Sequence, residues 1–369
     1  MPKIDISYID DNSLHTIVEL NSQKISSLWE FYGDKKNDYL QPIIRQLKKT
    51  YNRSSEFKNS SFIVLIVGPV KSGKSTFVNL LANAYVSPTH FLECTVRPSI
   101  ITHHTTDHRI TIYTSQNTNN KVEQFDSVID CLRGLEQKEN IPAVTIEELE
   151  LTDKNINSRV MYDITQINND ATLTTTITTP GGELLQENVF ITDMPGIDGK
   201  YASIDNPIYD VIAQRADLII FVQSSNSAIS KVSNEFLDLL RTNNQNVPVC
   251  LIHNIFDAAY WRSKSLKDKV IREQKEFAKL EIQSKGFSIE DKNCFEINLG
   301  MVEDAKKSEC SSIGELQEEF LKFRRIESEL YRRVITQRNR IRLENCYNRS
   351  WQQMDKLNAF ATKHLEDKP

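Results

Sequence analysis

A short loop near residue 70 carries the clearest chemical signal in the sequence. Residues 68–75 read GPVKSGKS and have the spacing G-x-x-x-x-G-K-S, which is typical of loops that wrap nucleotide phosphates. The glycines allow backbone N–H groups to converge on an anion, Lys74 reaches the outer phosphates, and Ser75 can ligate Mg²⁺. The sequence therefore predicts nucleotide contacts from Gly68, Val70, Lys71, Ser72, Gly73, Lys74, Ser75 and Thr76.

A second motif supplies a carboxylate for the metal. The stretch VFITDMPG ends an apolar run with Asp193 and continues to Gly196. Carboxylate oxygens are preferred ligands of Mg²⁺, and the backbone at Gly196 is placed to sense a terminal phosphate. The alternative is that Asp193 only turns the chain at the end of a strand. We favour Ser75 and Asp193 as metal ligands and Gly196 as a nucleotide contact.

The choice of base depends on a third stretch, VCLIHNIFD. Asn254 and Asp257 have the N-x-x-D spacing of sites that read guanine, where the carboxylate accepts two hydrogen bonds that adenine cannot donate. Ile255 replaces the lysine that usually lies over the base, although isoleucine can still supply apolar cover. Asn298, in the later stretch FEINLG, is a further candidate for a base-side loop. These residues predict a guanine nucleotide.

The motifs lie at the ends of short apolar stretches that alternate with helical patterns. This alternation predicts crossover connections and a mainly parallel sheet covered by helices, and hence an α/β fold with a P-loop core. Residues 116–121 and 155–170 are polar and read as loops within that core. The predicted strands contain FIVLIV, RITIYT, NVFITD, DLIIFVQ, VPVCLIH and NCFEIN.

Both ends of the chain have helical patterns outside this core. Apolar side chains recur at helical spacing from about residue 21 to residue 59, with breaks near Gly33 and Pro42, and again after residue 311. We expect the two ends to pack on each other as a flanking helical bundle. The predicted domains are an N-terminal helical segment over 1–59, the nucleotide-binding core over 60–305 and a C-terminal helical segment over 306–369.

Composition restricts the partners and the compartment. Forty-five Lys and Arg stand against fifty Asp and Glu, giving a formal charge of −5, so no nucleic-acid partner is expected. The six cysteines contain no C-x-x-C pair, which favours a reducing compartment. No apolar run approaches the roughly 20 residues of a membrane helix, and the polar start lacks a secretory signal. We predict a cytoplasmic protein.

Two charged clusters admit alternative interpretations. Nine Lys or Arg stand against three Glu between residues 322 and 349, and this basic excess could contact an anionic membrane peripherally or form a solvated helix face. The stretch THHTTDH carries three histidines and an aspartate. It could bind a metal or form a polar strand edge.

In this order the motifs resemble those of the dynamin-like large GTPases. The resemblance covers about residues 62–300 and includes ECTVRPSII, where Thr95, Arg97 and Pro98 match the T-x-R-P of the first switch. It implies that Thr95 closes over Mg²⁺ and the γ-phosphate, that GTP is the substrate, and that the flanking helices form a neck. It also implies a homodimer formed through the nucleotide face. The long stalk of such proteins is missing from the sequence, so the resemblance implies either a short member of the family or a fragment of a longer protein.

Lys71 and Ile197 depart from better-known patterns. Ras-like enzymes place a glutamine after D-x-x-G, whereas Ile197 follows Gly196 here, so another group must assist the attacking water. Dynamins proper have serine at the position of Lys71, and guanylate-binding proteins and atlastins have an arginine that moves onto the phosphates. By this resemblance Lys71 supplies charge, unless it only points into solvent. The catalytic set so implied is Lys71, Lys74, Ser75 and Thr95, with Ser75, Thr95 and Asp193 as metal ligands.

These observations predict Mg²⁺-dependent GTP hydrolysis by a mechanical or switching protein that self-associates and remodels membranes. One alternative is a nucleotide-binding switch or scaffold that hydrolyses little. The other is an ATP-dependent P-loop enzyme.

Overall fold

The chain forms two compact units, 1–60 with 336–369, and 61–335. The structure is a computed structural model that describes residues 6, 9–32, 62–89, 98–115, 144–157, 172–186, 189–196, 216–225, 231–243, 247–256, 264–307 and 314–366. The domain limits predicted from the sequence stay a prediction.

A nine-stranded sheet formed by the described residues is the framework of the larger unit. Its spatial order is β4-β3-β5-β2-β6-β1-β7-β8-β9. The neighbours β6-β1-β7-β8-β9 and β2-β5 are parallel, whereas β2-β6, β3-β4 and β3-β5 are antiparallel. The strands are β1 Phe62–Val67, β2 Ser99–His103, β3 Arg109–Ser115, β4 Val144–Glu150, β5 Thr172–Thr179, β6 Val189–Asp193, β7 Leu218–Ser224, β8 Val249–Asn254 and β9 Cys294–Ile297.

The parallel half of the sheet consists of the apolar stretches that the sequence predicts. All residues of β1, β6, β7 and β8 are buried, as expected for central parallel strands covered on both faces. The prediction of an α/β fold with a mainly parallel sheet is confirmed. On the antiparallel side the sequence predicts β3 but not β4 (VTIEELE) or β5 (TLTTTITT), because these two strands are rich in glutamate or threonine and lack an apolar run.

Helices α3 and α4 pack on this sheet, whereas α1 and α7 belong to the smaller unit. Phe236 and Leu240 of α3 and Ile282 of α4 belong to one core cluster with Phe221 and Leu251 of the central strands. The helices of nine or more residues are α1 Asp11–Tyr32, α2 Lys74–Ala82, α3 Lys231–Asn243, α4 Lys264–Ser284, α5 Leu299–Lys307, α6 Gly314–Tyr331 and α7 Arg338–Glu366, with a π-helical turn Arg332–Thr336 before α7. Short helical turns also occur at Asp153–Asn155 and Asp291–Asn293. Among the described residues no helix has the length and apolar character required to span a membrane.

The smaller unit joins the two ends of the chain, as predicted. Leu14 and Val18 of α1 share a buried cluster with Leu343 and Tyr347 of α7. Helix α1 begins about ten residues before the predicted start, because Asp10 caps it: its carboxylate accepts the backbone N–H groups of the second and third helical residues, at 3.0 Å each. The rest of the predicted N-terminal helix, including Gly33 and Pro42, lies outside the described residues.

Candidate nucleotide-binding site

The loop between β1 and α2 has a curled backbone that only glycine accommodates at two positions. Gly68 has φ 151° and Gly73 has φ 98°. A Cβ atom on Gly68 would lie 2.1 Å from the carbonyl oxygen of Val222, and one on Gly73 would lie 2.3 Å from the side-chain amide of Asn254. Lys71, at the tip, also has a positive φ of 61°. This geometry is the one expected of a phosphate-binding loop.

Lys74 and Ser75 lie in the first turn of α2, directly after this loop. Lys74 is only 6% exposed, and its Nζ donates a hydrogen bond to the carbonyl of Pro69 at 2.7 Å. Its ammonium group therefore lies within the curl of the loop. Thr76 follows in the same turn, where the orphan N–H groups of the helix start add to the anion-attracting character.

Asp193 lies at the carboxyl end of β6 beside Ser75 and is completely buried. Its Oδ2 accepts hydrogen bonds from Ser75 Oγ at 3.3 Å and from Ser87 Oγ at 2.5 Å. Burial raises the pKa of the Asp193 carboxyl, and the Ser87 hydrogen bond, the Lys74 charge and the Ser75 hydrogen bond oppose that rise. Among the described residues Oδ1 has no partner. A buried carboxylate oxygen without a partner, beside a serine hydroxyl, fits a hard cation such as Mg²⁺.

Gly196 brings the loop after β6 against the phosphate-binding loop. A Cβ atom on Gly196 would lie 2.3 Å from Cγ2 of Val70 and 2.8 Å from its Cα. Because these two backbones touch, the D-x-x-G motif and the G-x-x-x-x-G-K-S motif meet in one place, as their predicted roles require.

Asn254 connects the phosphate-binding loop to the start of α5. Its Nδ2 donates to the carbonyl of Ser72 at 3.0 Å, and its Oδ1 accepts the N–H of Leu299 at 3.1 Å. Both ends of the carboxamide thus bind the protein's own backbone. The side chain therefore helps to shape the phosphate-binding loop, and its predicted contact with nucleotide stays a prediction.

Asn298 caps the helix that follows β9. Its Oδ1 accepts the N–H of Met301 at 3.1 Å, which is the geometry of an N-cap. Its own N–H donates to the Glu319 carboxylate at 2.8 Å. The loop in which the sequence places Asn298 therefore lies near Asn254 and is held by α6.

Two predicted site residues, Thr95 and Asp257, lie outside the described residues, as does Ile197. Their predicted roles stay predictions. Their described neighbours are Pro98 at the entry of β2 and Phe256 after β8, and the N–H of Phe256 donates to Ser225 Oγ at 3.1 Å.

Five of the nine basic residues between 322 and 349 form ion pairs within their own unit. Each surface ion pair contributes little to stability. The paired basic side chains are nevertheless already in contact with carboxylates of the protein. The paired residues are Lys322 with Glu319, Arg324 with Glu183 and Glu327, Arg332 and Arg333 with Glu329, and Arg340 with Glu344. Contact of this cluster with an anionic membrane stays a prediction.

The histidine-rich stretch forms the turn between β2 and β3. His104 Nδ1 accepts the N–H of Asp107 at 3.1 Å, and Asp107 pairs with Arg109 at 2.9 Å. Within the described part of the chain, no group of three or more His, Cys, Asp or Glu could hold a metal ion. The described contacts are those of a polar strand edge.

The family model of the dynamin family matches residues 64–255, just over half of the chain. The chain belongs to the dynamin family. Two solved structures, both described as an oligomerised bacterial dynamin pair that senses and tethers membranes at long range, match with a TM-score of 0.52 at 17% and 16% sequence identity. Each match covers 99% of this dynamin-family chain but only 49% and 58% of the solved chains. This chain therefore spans about half of their length, and the likeness concerns the fold. No curated protein matches the sequence.

Sequence reasoning missed Ser87, the second hydroxyl on Asp193. Ser87 belongs to no recognised motif, and 106 positions separate it from Asp193. One weak signal existed, because Asn79 interrupts the apolar stretch FVNLLA of α2. A polar residue inside such a stretch usually has a hydrogen-bonding role.

Proposed function

We propose that the protein is a Mg²⁺-dependent GTPase that binds the phosphates of GTP in residues 68–75. The observation that carries this proposal is the meeting of Ser75, at the start of α2, with the buried carboxylate of Asp193 beside Lys74. These are the three groups that phosphoryl transfer requires around the outer phosphates. Membership of the dynamin family supports GTP as the nucleotide.

The reaction is in-line attack of water on the γ-phosphate. Positive charge from Lys74 and the N–H groups of the loop stabilise the negative charge that spreads over the phosphate oxygens. Ser75 and Asp193 would hold Mg²⁺, with Thr95 as the predicted third ligand, and the bound cation supplies further charge neutralisation. Asp257 is the proposed reader of the guanine edge.

The proposal extends to a mechanical or switching role with self-association through the nucleotide face. It includes peripheral contact with an anionic membrane, which the description of the two solved bacterial dynamins as membrane-tethering supports. Flotation with neutral and phosphatidylserine vesicles at low salt tests the membrane part, and equal recovery with both would contradict it.

The decisive experiment compares phosphate release from GTP and from ATP, with Mg²⁺ and with EDTA. We expect release from GTP alone, only with Mg²⁺, and its loss in Lys74→Ala. Lys292→Ala is a matched control, because Lys292 is an exposed lysine paired with Glu290 away from the loop. Tight GTP binding without release would favour the nucleotide-binding switch, and equal release from ATP would favour the ATP-dependent enzyme.

A further inference from the structure

We propose that Ser87, held in place by Asn79, is a positioning residue for Asp193. It fixes one oxygen of the carboxylate so that the other stays directed at the metal. This inference rests on the proposed function and adds a residue that belongs to none of the nucleotide-binding motifs.

The first supporting observation is how firmly Ser87 is held. Asn79 Nδ2 donates to the carbonyl of Ser87 at 2.8 Å, and Asn79 Oδ1 accepts the N–H groups of Val86 at 2.9 Å and of Ser87 at 2.7 Å. One carboxamide thus binds three backbone groups of the segment after α2. Ser87 is completely buried. Its position is therefore fixed relative to α2.

The second observation is that the same helix carries the metal ligand. Ser75 and Asn79 are four residues apart in α2, so they lie on one face of the helix. That face meets Asp193 twice, directly through Ser75 and through Asn79 and Ser87. One set of hydrogen bonds consequently connects the carboxylate, the serine ligand and the positioning serine.

The third observation is that the two oxygens of the Asp193 carboxylate differ in their partners. Both hydroxyls donate to Oδ2, and Oδ1 has no partner among the described residues. The Ser75 hydroxyl is the proposed metal ligand and would turn towards the cation. Ser87 then remains as the hydroxyl donor to Oδ2, through a charge-assisted bond of 2.5 Å. Without it the carboxylate is free to rotate away from the metal.

The experiment measures Mg²⁺ binding without hydrolysis. The full chain is loaded with a fluorescent GDP analogue, and the rate of analogue release is followed as the Mg²⁺ concentration rises. We expect Ser87→Ala to raise the Mg²⁺ concentration for half-maximal slowing by about tenfold or more, since outer-shell partners typically contribute 10- to 100-fold to metal affinity. Release in EDTA should equal that of the wild type. Asn79→Ala should shift the Mg²⁺ requirement in the same direction.

A matched pair separates positioning from packing. Ser87→Thr and Ser87→Val have the same shape, and only threonine keeps the hydroxyl, so threonine should need less Mg²⁺ than valine by about tenfold. This comparison holds even if Ser87→Ala folds poorly. Thr102→Val removes another buried hydroxyl of the sheet, which contacts Thr178 at 3.4 Å, and should leave the Mg²⁺ requirement unchanged.

The outcomes distinguish the inference from the function on which it rests. A wild-type protein that responds to Mg²⁺ together with equal requirements for Ser87→Thr and Ser87→Val would overturn the positioning role alone. A wild-type protein that fails to bind the GDP analogue, or whose release ignores Mg²⁺, would overturn both.

Discussion

Lys71 combines an uncommon backbone conformation with an exposed side chain at the tip of the phosphate-binding loop. Its φ of 61° lies in the left-handed region, which costs a non-glycine residue roughly 1–2 kcal/mol. Strained positions of this kind concentrate at functional sites. The conformation therefore agrees with the interpretation of Lys71 as a source of positive charge, although a turn with a solvent-exposed lysine has the same backbone.

We predict that Lys71→Ala lowers GTP turnover at least tenfold and nearly retains nucleotide affinity, because the charge would act on the transition state. An arginine finger contributes about 10³ or more, and lysine, without the bidentate fork, should contribute less. Steady-state turnover and calorimetry with a GTP analogue measure the two quantities. Wild-type turnover should change little when a large organic cation replaces potassium.

The left-handed backbone requires its own control. Lys71→Gly removes the charge without strain, so its turnover should match that of Lys71→Ala, and Lys71→Arg should retain activity. If Lys71→Gly hydrolyses GTP at the wild-type rate, the charge has no role. Strict potassium dependence of the wild type would instead indicate the dynamin-type arrangement.

Asn254 and Asp257 should respond differently to removal, although they share one motif. Asn254→Ala would leave the buried carbonyl of Ser72 and the N–H of Leu299 without their partner, at about 1–3 kcal/mol each. We therefore expect a lower melting temperature and weaker binding of GTP with an unchanged preference over ATP. Asp257→Ala should reduce that preference, since the carboxylate would pair with guanine alone. Calorimetry with both nucleotides checks this, and a preference lost in Asn254→Ala would assign base reading to the asparagine.

Strand β8 carries a buried histidine close to its carboxyl end. His253 is completely buried, and neither ring nitrogen has a hydrogen-bond partner among the described residues. Its register neighbours are Gln223 on β7 and Glu296 on β9, and Glu296 pairs with Lys275 of α4 at 2.6 Å. Burial lowers the pKa of His253 to about 4, while the Glu296 charge raises it and the Lys275 charge lowers it further. The ring is therefore neutral at pH 7.

The buried His253 should make the free energy of unfolding depend on pH. In the unfolded chain His253 takes up a proton near the ordinary histidine pKa of 6.5, and in the folded chain only near pH 4. The contribution of the neutral ring to stability is complete above pH 6.5 and falls as the pH decreases towards 4, by about 2 kcal/mol between about pH 7.5 and pH 5. Urea unfolding at both pH values measures it. His253→Gln should remove that part of the loss, and His108→Gln, at an exposed position, should not. Equal pH dependence of His253→Gln and wild type would contradict the assignment.

Local pattern explains which elements the sequence predicts. The parallel strands are runs of buried apolar residues, and the phosphate-binding loop is a contiguous motif, so both are readable along the chain. The sequence does not predict strand β5, because TLTTTITT has β-branched residues without an apolar run. The start of α1 depends on the cap at Asp10, which the apolar periodicity does not reveal. The sequence does not reveal the role of Ser87 either, because its contact with Asp193 forms only when the chain is folded.

For the whole molecule we predict that GTP hydrolysis per protein rises with protein concentration, because association through the nucleotide face would order the site. Phosphate release over a range of concentrations tests this, together with sizing in GDP plus aluminium fluoride and, as the control, in GDP alone. A flat specific rate with monomer under both conditions would contradict the prediction.

The antiparallel pairing of β2 with β6 brings the start of β2 to the end of β6, where Asp193 lies. Ser99 is the register partner of Asp193 in the antiparallel pair β2-β6, and Ser87 donates to that same aspartate. Ser87 and Ser99 thus both lie beside Asp193, although eleven residues separate them in the sequence. Thr95 is four residues before Ser99, and an extended chain covers at most about 3.6 Å per residue, so its Cα stays within about 14 Å of that of Ser99. Chain connectivity alone therefore keeps Thr95 close to Asp193, so the predicted contact of this threonine with a cation held there would form within one molecule and would not depend on protein concentration.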